Sequence, residues 1–91
     1  MQICKVIGHV WATKKESSLS GLKLMVVQED MGPRGAKLVA ADIVGAGIGE
    51  RVLVVSGSTA RKALGKDEVA VDAAIVGIID SVELAREKNG K

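Results

Sequence analysis

The glycine-rich segment at residues 45–50 (GAGIGE) is the part of the sequence that most invites a cofactor-binding interpretation. In a dinucleotide-binding loop, glycines let the pyrophosphate approach the backbone at the first turn of a helix. Here the third glycine, Gly49, falls one position early, and Glu50 stands in its place. Residues 51–55 then form a short, β-branched apolar run, which predicts a strand instead of the required helix. We therefore predict a tight loop and no bound cofactor.

Two further patterns of reactive residues are incomplete. Gly65 and Lys66 could end a phosphate-binding loop, but Ala60 stands where its first glycine belongs and Asp67 where its magnesium-binding hydroxyl belongs. His9 is the only histidine, so neither a multi-histidine metal site nor a plausible histidine-based triad can be composed. The sequence therefore predicts no catalytic residues and no metal ligands.

Four carboxylates could in principle form a pair for acid–base chemistry: Asp42, Glu50, Asp72 and Asp80. Asp42 and Asp72 adjoin predicted turns, where aspartate commonly accepts hydrogen bonds from backbone amides. Glu50 opens a predicted strand. Structural roles are therefore favoured over catalysis for this set.

A short helix is predicted over residues 58–64, with Ser58 as its N-terminal cap and Gly65 as its C-terminal stop. Arg61 then falls near the third helical position, where the helix dipole disfavours a cation. We expect a nearby acid, and Arg61 can bind a carboxylate through two parallel hydrogen bonds. Its predicted partner is Asp42, Glu50 or Asp80, in the same or a neighbouring subunit. A solvent-exposed Arg61 is the alternative.

The elements that must position these residues are mostly strands. Alternation and turn residues predict five of them, at residues 2–13, 22–29, 37–44, 51–55 and 74–82. The turn between the second and third strands contains Gly32, Gly35 and Pro33, the only proline. Five strands with one short helix before the last predict an all-β fold, a small OB-like barrel. Residues 1–91 are predicted to form one domain, with a charged tail at residues 83–91.

Alternation also predicts which side chains face the barrel interior. In the first strand these are Cys4, Val6, Gly8, Val10 and Ala12, and in the second Leu22, Leu24 and Val26. The fourth and fifth strands are apolar on both faces, although only the inward face of a closed barrel needs to be. We expect their outward side chains to be covered by another subunit.

The composition points to the same conclusion. Hydrophobic residues make up 47% of the 91 residues, yet there is no Phe, no Tyr and one Trp, Trp11. Aromatic side chains supply much of the buried area in small domains, so a monomer without them can bury little apolar area. We therefore expect the chain to bury additional apolar surface by associating with copies of itself. Thirteen basic and eleven acidic residues give a net charge of +2 without a basic stripe, and no apolar run approaches a membrane span. The single Cys4 suggests a buried thiol in a reducing, cytoplasmic compartment.

An OB-like barrel also raises the alternative of single-stranded nucleic-acid binding. Such binding relies on aromatic stacking platforms and a basic groove. With one aromatic residue and no basic stripe, this alternative ranks below self-assembly.

Several blocks of the sequence, taken in order, carry a resemblance to a known family. These are residues 6–10 (VIGHV), 13–14 (TK), 21–24 (GLKL), 42–50 (DIVGAGIGE), 52–54 (VLV), 57–58 (GS), 60–61 (AR) and 74–80 (AIVGIID), with Leu19 and Asp72. They resemble the vertex proteins of bacterial microcompartment shells, a family shared by carboxysomes and by ethanolamine- and propanediol-utilising organelles. The resemblance spans almost the whole chain.

The resemblance implies an OB-like barrel that forms a cyclic homopentamer and caps the vertices of a shell tiled by hexameric shell proteins. It implies a structural protein in the cytoplasm, with no catalysis, no cofactor, no nucleic acid and no membrane. It also marks the residues of the family motif, which we expect at the subunit interface. These are Asp42, Gly45, Gly47, Gly49, Glu50, Gly57, Ser58, Arg61 and Asp80.

Overall fold

The computed structural model describes residues 1–12, 15–31, 34–65 and 70–85. Its strands are β1 (Gln2–Val10), β2 (Lys23–Glu29), β3 (Lys37–Asp42), β4 (Arg51–Ser56) and β5 (Ala73–Ile78). A 3-10 turn (Ser17–Leu19) precedes β2, and helix α1 (Gly57–Ala63) lies between β4 and β5. The strands close into a barrel in the order β1-β2-β3-β5-β4, in which only the β3–β5 contact is parallel. The predicted five-stranded barrel with one short helix is therefore confirmed.

The barrel interior is filled by small apolar side chains, as the composition requires. The central cluster consists of Cys4, Val6, Met25, Val27, Ala40, Ala46, Val52, Val54, Ala73 and Ile75. No member is more than 2% exposed. With no large aromatic side chain in this cluster, the narrow barrel is filled mainly by valine, isoleucine and alanine.

The predicted inward face of β1 is correct for its first half only. Cys4 and Val6 are fully buried, but the pairing with β2 shifts between Val6 and Gly8. Past this bulge, Gly8 pairs with Val26, and a Cβ on Gly8 would lie 3.9 Å from the Val26 Cβ. A bulge adds one residue to one strand and so changes the face that later residues present. Ala12, predicted inside, is exposed.

The predicted inward face of β2 is wrong. Met25 and Val27 join the central cluster, whereas Val26 is only partly buried and Leu24, although buried, lies outside that cluster. Residues 24–27 are all apolar, so alternation could not choose between the two faces. A register error of one residue exchanges the faces of a whole strand.

Helix α1 covers part of the outer apolar surface that we expected a second subunit to bury. Ala60 of α1 packs with Val55 of β4 and Ala74 of β5, and Leu64 and Val76 border this second cluster. The chain therefore covers one end of β4 and β5 with its own helix. Leu53, nearer the other end of β4, is not part of this cluster and is only partly buried.

The N-terminal cap of α1 lies two residues before the predicted one. Ser56, not Ser58, is the residue before the first turn, and its side chain makes no capping hydrogen bond. The predicted stop at Gly65 is confirmed, because Gly65 has φ +73° and its amide donates to the Lys62 carbonyl at 3.0 Å. Arg61 consequently lies in the last turn, where the helix dipole favours a cation. The predicted electrostatic conflict at Arg61 is absent.

The turn between β2 and β3 brings two backbone segments very close together. A Cβ on Gly35 would lie 2.1 Å from the Glu29 carbonyl oxygen, so this position accepts only glycine. Gly32 and Pro33, also predicted in this turn, lie outside the described residues, as do Thr13, Lys66, Asp67 and residues 86–91 of the predicted tail. Among the described residues, no helix has the length and apolar character needed to cross a membrane.

Candidate functional site

The first half of the β3–β4 loop is organised by the carboxylate of Asp42. One oxygen, Oδ1, accepts hydrogen bonds from the amides of Val44 (3.0 Å) and Gly45 (3.1 Å). The other, Oδ2, accepts one from the amide of Ala46 (2.8 Å). The Asp42 side chain is completely buried. Its predicted role as a turn acceptor is confirmed, and the buried charge is stabilised by three converging amides.

Lys23 completes this arrangement from the neighbouring strand. Its Nζ lies 3.5 Å from Asp42 Oδ2 and donates to the carbonyl of Ala46 at 3.0 Å. Sequence reasoning missed Lys23, because its role depends on the β2–β3 register, which pairs Lys23 with Asp42. The cation fastens the loop to β2 and balances the buried carboxylate.

The second half of the loop is tied to β1 and to itself. The amide of Gly47 donates to Glu50 Oε1 at 2.7 Å, and the amide of Glu50 donates to the Gly47 carbonyl at 3.1 Å. The amide of Gly49 donates to the Val6 carbonyl at 2.8 Å, and the Val6 amide donates to the Glu50 carbonyl at 2.9 Å. Gly45 and Gly49 have φ of +81° and +93°, which side chains rarely adopt.

This hydrogen bonding is inconsistent with an anion-binding loop. The amides of residues 44, 45, 46, 47 and 49 all donate to acceptors within the chain. A phosphate-binding loop must instead leave several amides free to converge on the ligand. The predicted tight loop is therefore the better description of this segment.

The loop presents apolar side chains to solvent on a fixed backbone. Ile43, Val44 and Ile48 are 47%, 39% and 61% exposed. Branched apolar side chains held in this way suit packing against another protein surface, not a reaction.

Four residues of the predicted interface set lie outside the loop. Gly57 begins α1 with φ +63°, and its amide donates to the Asp72 carbonyl at 2.7 Å. Ser58 is exposed on α1, Arg61 is partly buried in its last turn, and Asp80 is exposed after β5. The loop residues are therefore brought together, while these four are distributed around α1 and the end of β5.

The predicted ion pair of Arg61 does not form within the described part of the chain. The ion pairs there join Lys23 to Asp42 and Arg51 to Asp30. Asp42 is fully engaged by its amides and Lys23, so it is not available to Arg61. Of the predicted arrangements, a carboxylate from a neighbouring subunit and an Arg61 without an acidic partner are left, and the first belongs to the proposals below.

The surroundings of Cys4 do not favour a reactive thiol. Burial, followed by the nearby negative charges of Glu29 and Asp30, raises the pKa of the Cys4 thiol. A raised thiol pKa means little thiolate at neutral pH, hence low nucleophilicity. Among the described residues, no group of three His, Cys, Asp or Glu side chains could hold a metal ion.

His9 and Trp11 form a stacked pair on the surface. Their ring centroids lie 5.2 Å apart with an interplanar angle of 21°, and Trp11 is 86% exposed. A single exposed aromatic provides one stacking position, whereas single-stranded nucleic-acid binders combine several with a basic groove.

Comparison with known proteins gives consistent matches over nearly the whole chain. A family model described as "Ethanolamine utilisation protein EutN/carboxysome" matches residues 1–80. The bacterial microcompartment shell vertex protein GrpN of Rhodospirillum rubrum is 52% identical over 86 residues, covering 91% of this chain and 97% of that protein. The carboxysome shell vertex protein CcmL of a Synechocystis species is 47% identical over 89 residues, covering 93% and 88%.

A solved structure described as the GrpN pentameric microcompartment shell protein from Rhodospirillum rubrum superposes with a TM-score of 0.80. It is 46% identical and covers 94% of this chain and all of that one. These relatives favour the predicted structural role over the nucleic-acid alternative and over catalysis. The chain belongs to the EutN/CcmL family of bacterial microcompartment shell vertex proteins, and its function is structural.

Proposed function

We propose that five copies of this chain form a closed ring that fills a five-fold vertex of a microcompartment shell. The observation that carries this proposal is the match to the pentameric GrpN structure, which extends over 94% of the chain. Cyclic rings use a heterologous interface, in which two different patches of each subunit meet. The exposed apolar side chains of the β3–β4 loop support a role for this loop in that interface.

The family-motif residues fit this proposal in two ways. Asp42, Gly45, Gly49 and Glu50 act within their own subunit, where they fix the shape of a loop that the next subunit contacts. The proposal places Arg61 between subunits, and among the described residues of its own chain Arg61 has no acidic partner. Its partner is then a carboxylate of the neighbouring subunit, with Glu50 and Asp80 the candidates.

The second part of the proposal concerns the shell around the ring. A sheet tiled only by hexamers is flat and cannot close without pentagonal points. Hexameric shell proteins are therefore the partners that the rim of the ring contacts. No chemistry is required of the vertex protein, because its contribution is curvature.

Shell closure can be tested by producing a hexameric microcompartment shell protein with and without this chain. Electron microscopy should find closed polyhedra with the chain and open sheets or tubes without it. Equal yields of closed shells in both samples would contradict a vertex function.

A further inference from the structure

A small cleft lies between the end of β1 and the start of β2. Its volume is about 200 Å³, and its walls include Val10 and Leu24, which pair across the two strands, together with Leu22. None of its described lining residues belongs to the family-motif set that we expect at the subunit interface. The exposed apolar side chains of the β3–β4 loop do not line it either. The cleft is therefore a surface separate from the parts of the chain already assigned to assembly.

Trp11 provides the largest apolar surface at this cleft. One face of its indole stacks on the imidazole of His9, with ring centroids 5.2 Å apart, and the side chain is still 86% exposed. His9 belongs to β1, where it pairs with the core residue Met25. The stack therefore rests on the barrel and fixes the indole while leaving its other face to solvent. A fixed side chain loses little conformational freedom on binding, and Trp is one of the residue types enriched among the hot spots of protein interfaces.

The charged side chains that line the cleft are basic. Lys15 Nζ donates to the Leu22 carbonyl at 3.3 Å and has no ion-pair partner among the described residues. Lys23 binds Asp42, yet the Lys23 side chain is 44% exposed whereas that of Asp42 is completely buried. An incoming group therefore meets two lysines and no exposed acid among the described lining residues.

Glu16 is the acid next to Lys15 in the sequence, but it does not line the cleft. Its carboxylate accepts hydrogen bonds from the Ser18 amide at 2.9 Å and from the Ser17 hydroxyl at 3.2 Å. The Glu16 carboxylate is thus held by the turn that follows it. The cleft consequently favours an occupant with negative charge close to its apolar part.

The volume of the cleft distinguishes between kinds of occupant. Pockets for small molecules typically enclose about 300–1,000 Å³. At about 200 Å³ this cleft holds less, enough for one apolar side chain. The exposed indole beside it offers further contact area to the chain that carries that side chain. Single-stranded nucleic acid is disfavoured, because its binding uses several stacking positions and the cleft has one exposed indole.

We propose that this cleft binds an acidic segment of a partner protein. One apolar side chain of that segment fills the cleft beside Trp11, and its carboxylates face Lys15 and Lys23. The cleft is formed by a single chain, so binding there does not depend on the proposed ring.

The probe is a short fluorescein-labelled peptide in which two leucines are flanked by glutamates. One control peptide has lysines in place of the glutamates, and the other has serines in place of the leucines. Fluorescence anisotropy with the full chain should show the acidic leucine peptide binding at least about ten-fold more tightly than either control. Unlabelled acidic leucine peptide should also move the emission of Trp11, the only tryptophan, to shorter wavelength, because it removes the indole from water.

Two variants locate the bound peptide. Trp11→Ala should raise the dissociation constant about thirty-fold, the effect of a hot-spot residue. Lys15→Glu should raise it about five-fold, as expected for an exposed charge. Both side chains are exposed, so neither change disturbs the core. The matched controls are Leu84→Ala, at a side chain that is 85% exposed, and Lys37→Glu, at an exposed lysine that pairs with Gln28 at the far end of β2; both should bind like the unmodified chain.

Equal affinity for the lysine peptide would overturn the charge preference, and equal affinity for the serine peptide would overturn the apolar anchor. Unchanged binding by Trp11→Ala would place the peptide elsewhere on the chain. Tighter binding of an oligothymidylate of equal charge would overturn the assignment to a protein partner. A shift of Trp11 emission with rising chain concentration, without peptide, would show that a second copy covers the cleft and would also refute the proposal.

Discussion

Replacing Asp42 by asparagine is the sharpest perturbation of the glycine loop, because it changes the two oxygen positions differently. The asparagine oxygen can still accept from the amides of Val44 and Gly45, which bind Oδ1 at 3.0 and 3.1 Å. The NH2 group then occupies the position of Oδ2, where it faces the Ala46 amide at 2.8 Å. Two donors oppose each other there, and Lys23 loses its anion.

The expected cost follows from these contacts. Losing one charge-assisted hydrogen bond at a buried site lowers the free energy of unfolding by about 1.5–3 kcal/mol. The Lys23 pair adds at most about 1 kcal/mol, because the Lys23 side chain is 44% exposed and solvent screens the pair. We therefore expect Asp42→Asn to lower the free energy of unfolding by about 1.5–4 kcal/mol. Asp42→Ala should cost more, since all three amides then lose their acceptor.

Urea denaturation followed by circular dichroism at a fixed chain concentration measures this difference. Asp72→Asn is the matched control, since it makes the same charge change at an exposed side chain and should alter stability by less than about 0.5 kcal/mol. If Asp42→Asn were as stable as Asp72→Asn, the carboxylate would not organise the loop, and our account of the family motif would fail.

Three further predictions concern individual residues. Gly49→Ala should destabilise by about 1–2 kcal/mol in the same urea assay, because Gly49 has φ +93°, whereas Gly47→Ala should cost clearly less because Gly47 does not require positive φ. Equal losses would contradict the assigned loop geometry. Cys4 should react with iodoacetamide far more slowly than a free thiol at pH 7–8, because its pKa is raised. The rate should rise toward higher pH. Rapid labelling of the folded chain, measured by mass spectrometry, would be evidence against this prediction. Arg61→Ala should make the ring dissociate at higher chain concentration than Lys62→Ala, as measured by sedimentation; equal ring stability would remove Arg61 from the interface.

The strand positions were predictable because local signals agree along most of the chain. Alternation in β1, the glycines before β4 and the polar turn before β2 each mark a boundary that the barrel preserves. The structural role of Asp42 was also predictable, since aspartate beside a turn commonly accepts backbone amides.

Features that depend on register were not predictable. The four apolar residues at 24–27 leave both faces of β2 open to interpretation, and the bulge at Val6 and Gly8 exchanges the faces of β1. Lys23 meets Asp42 only through the β2–β3 pairing. The covering of Val55 by α1 was missed for the same reason, because it is a contact between elements and leaves no pattern in either one.

Sedimentation equilibrium of the unmodified chain at micromolar concentration tests the central claim most directly. A cyclic pentamer predicts a single species of about 47 kDa, five times the 9.4 kDa of one chain. A stable monomer of 9.4 kDa under these conditions would contradict the account.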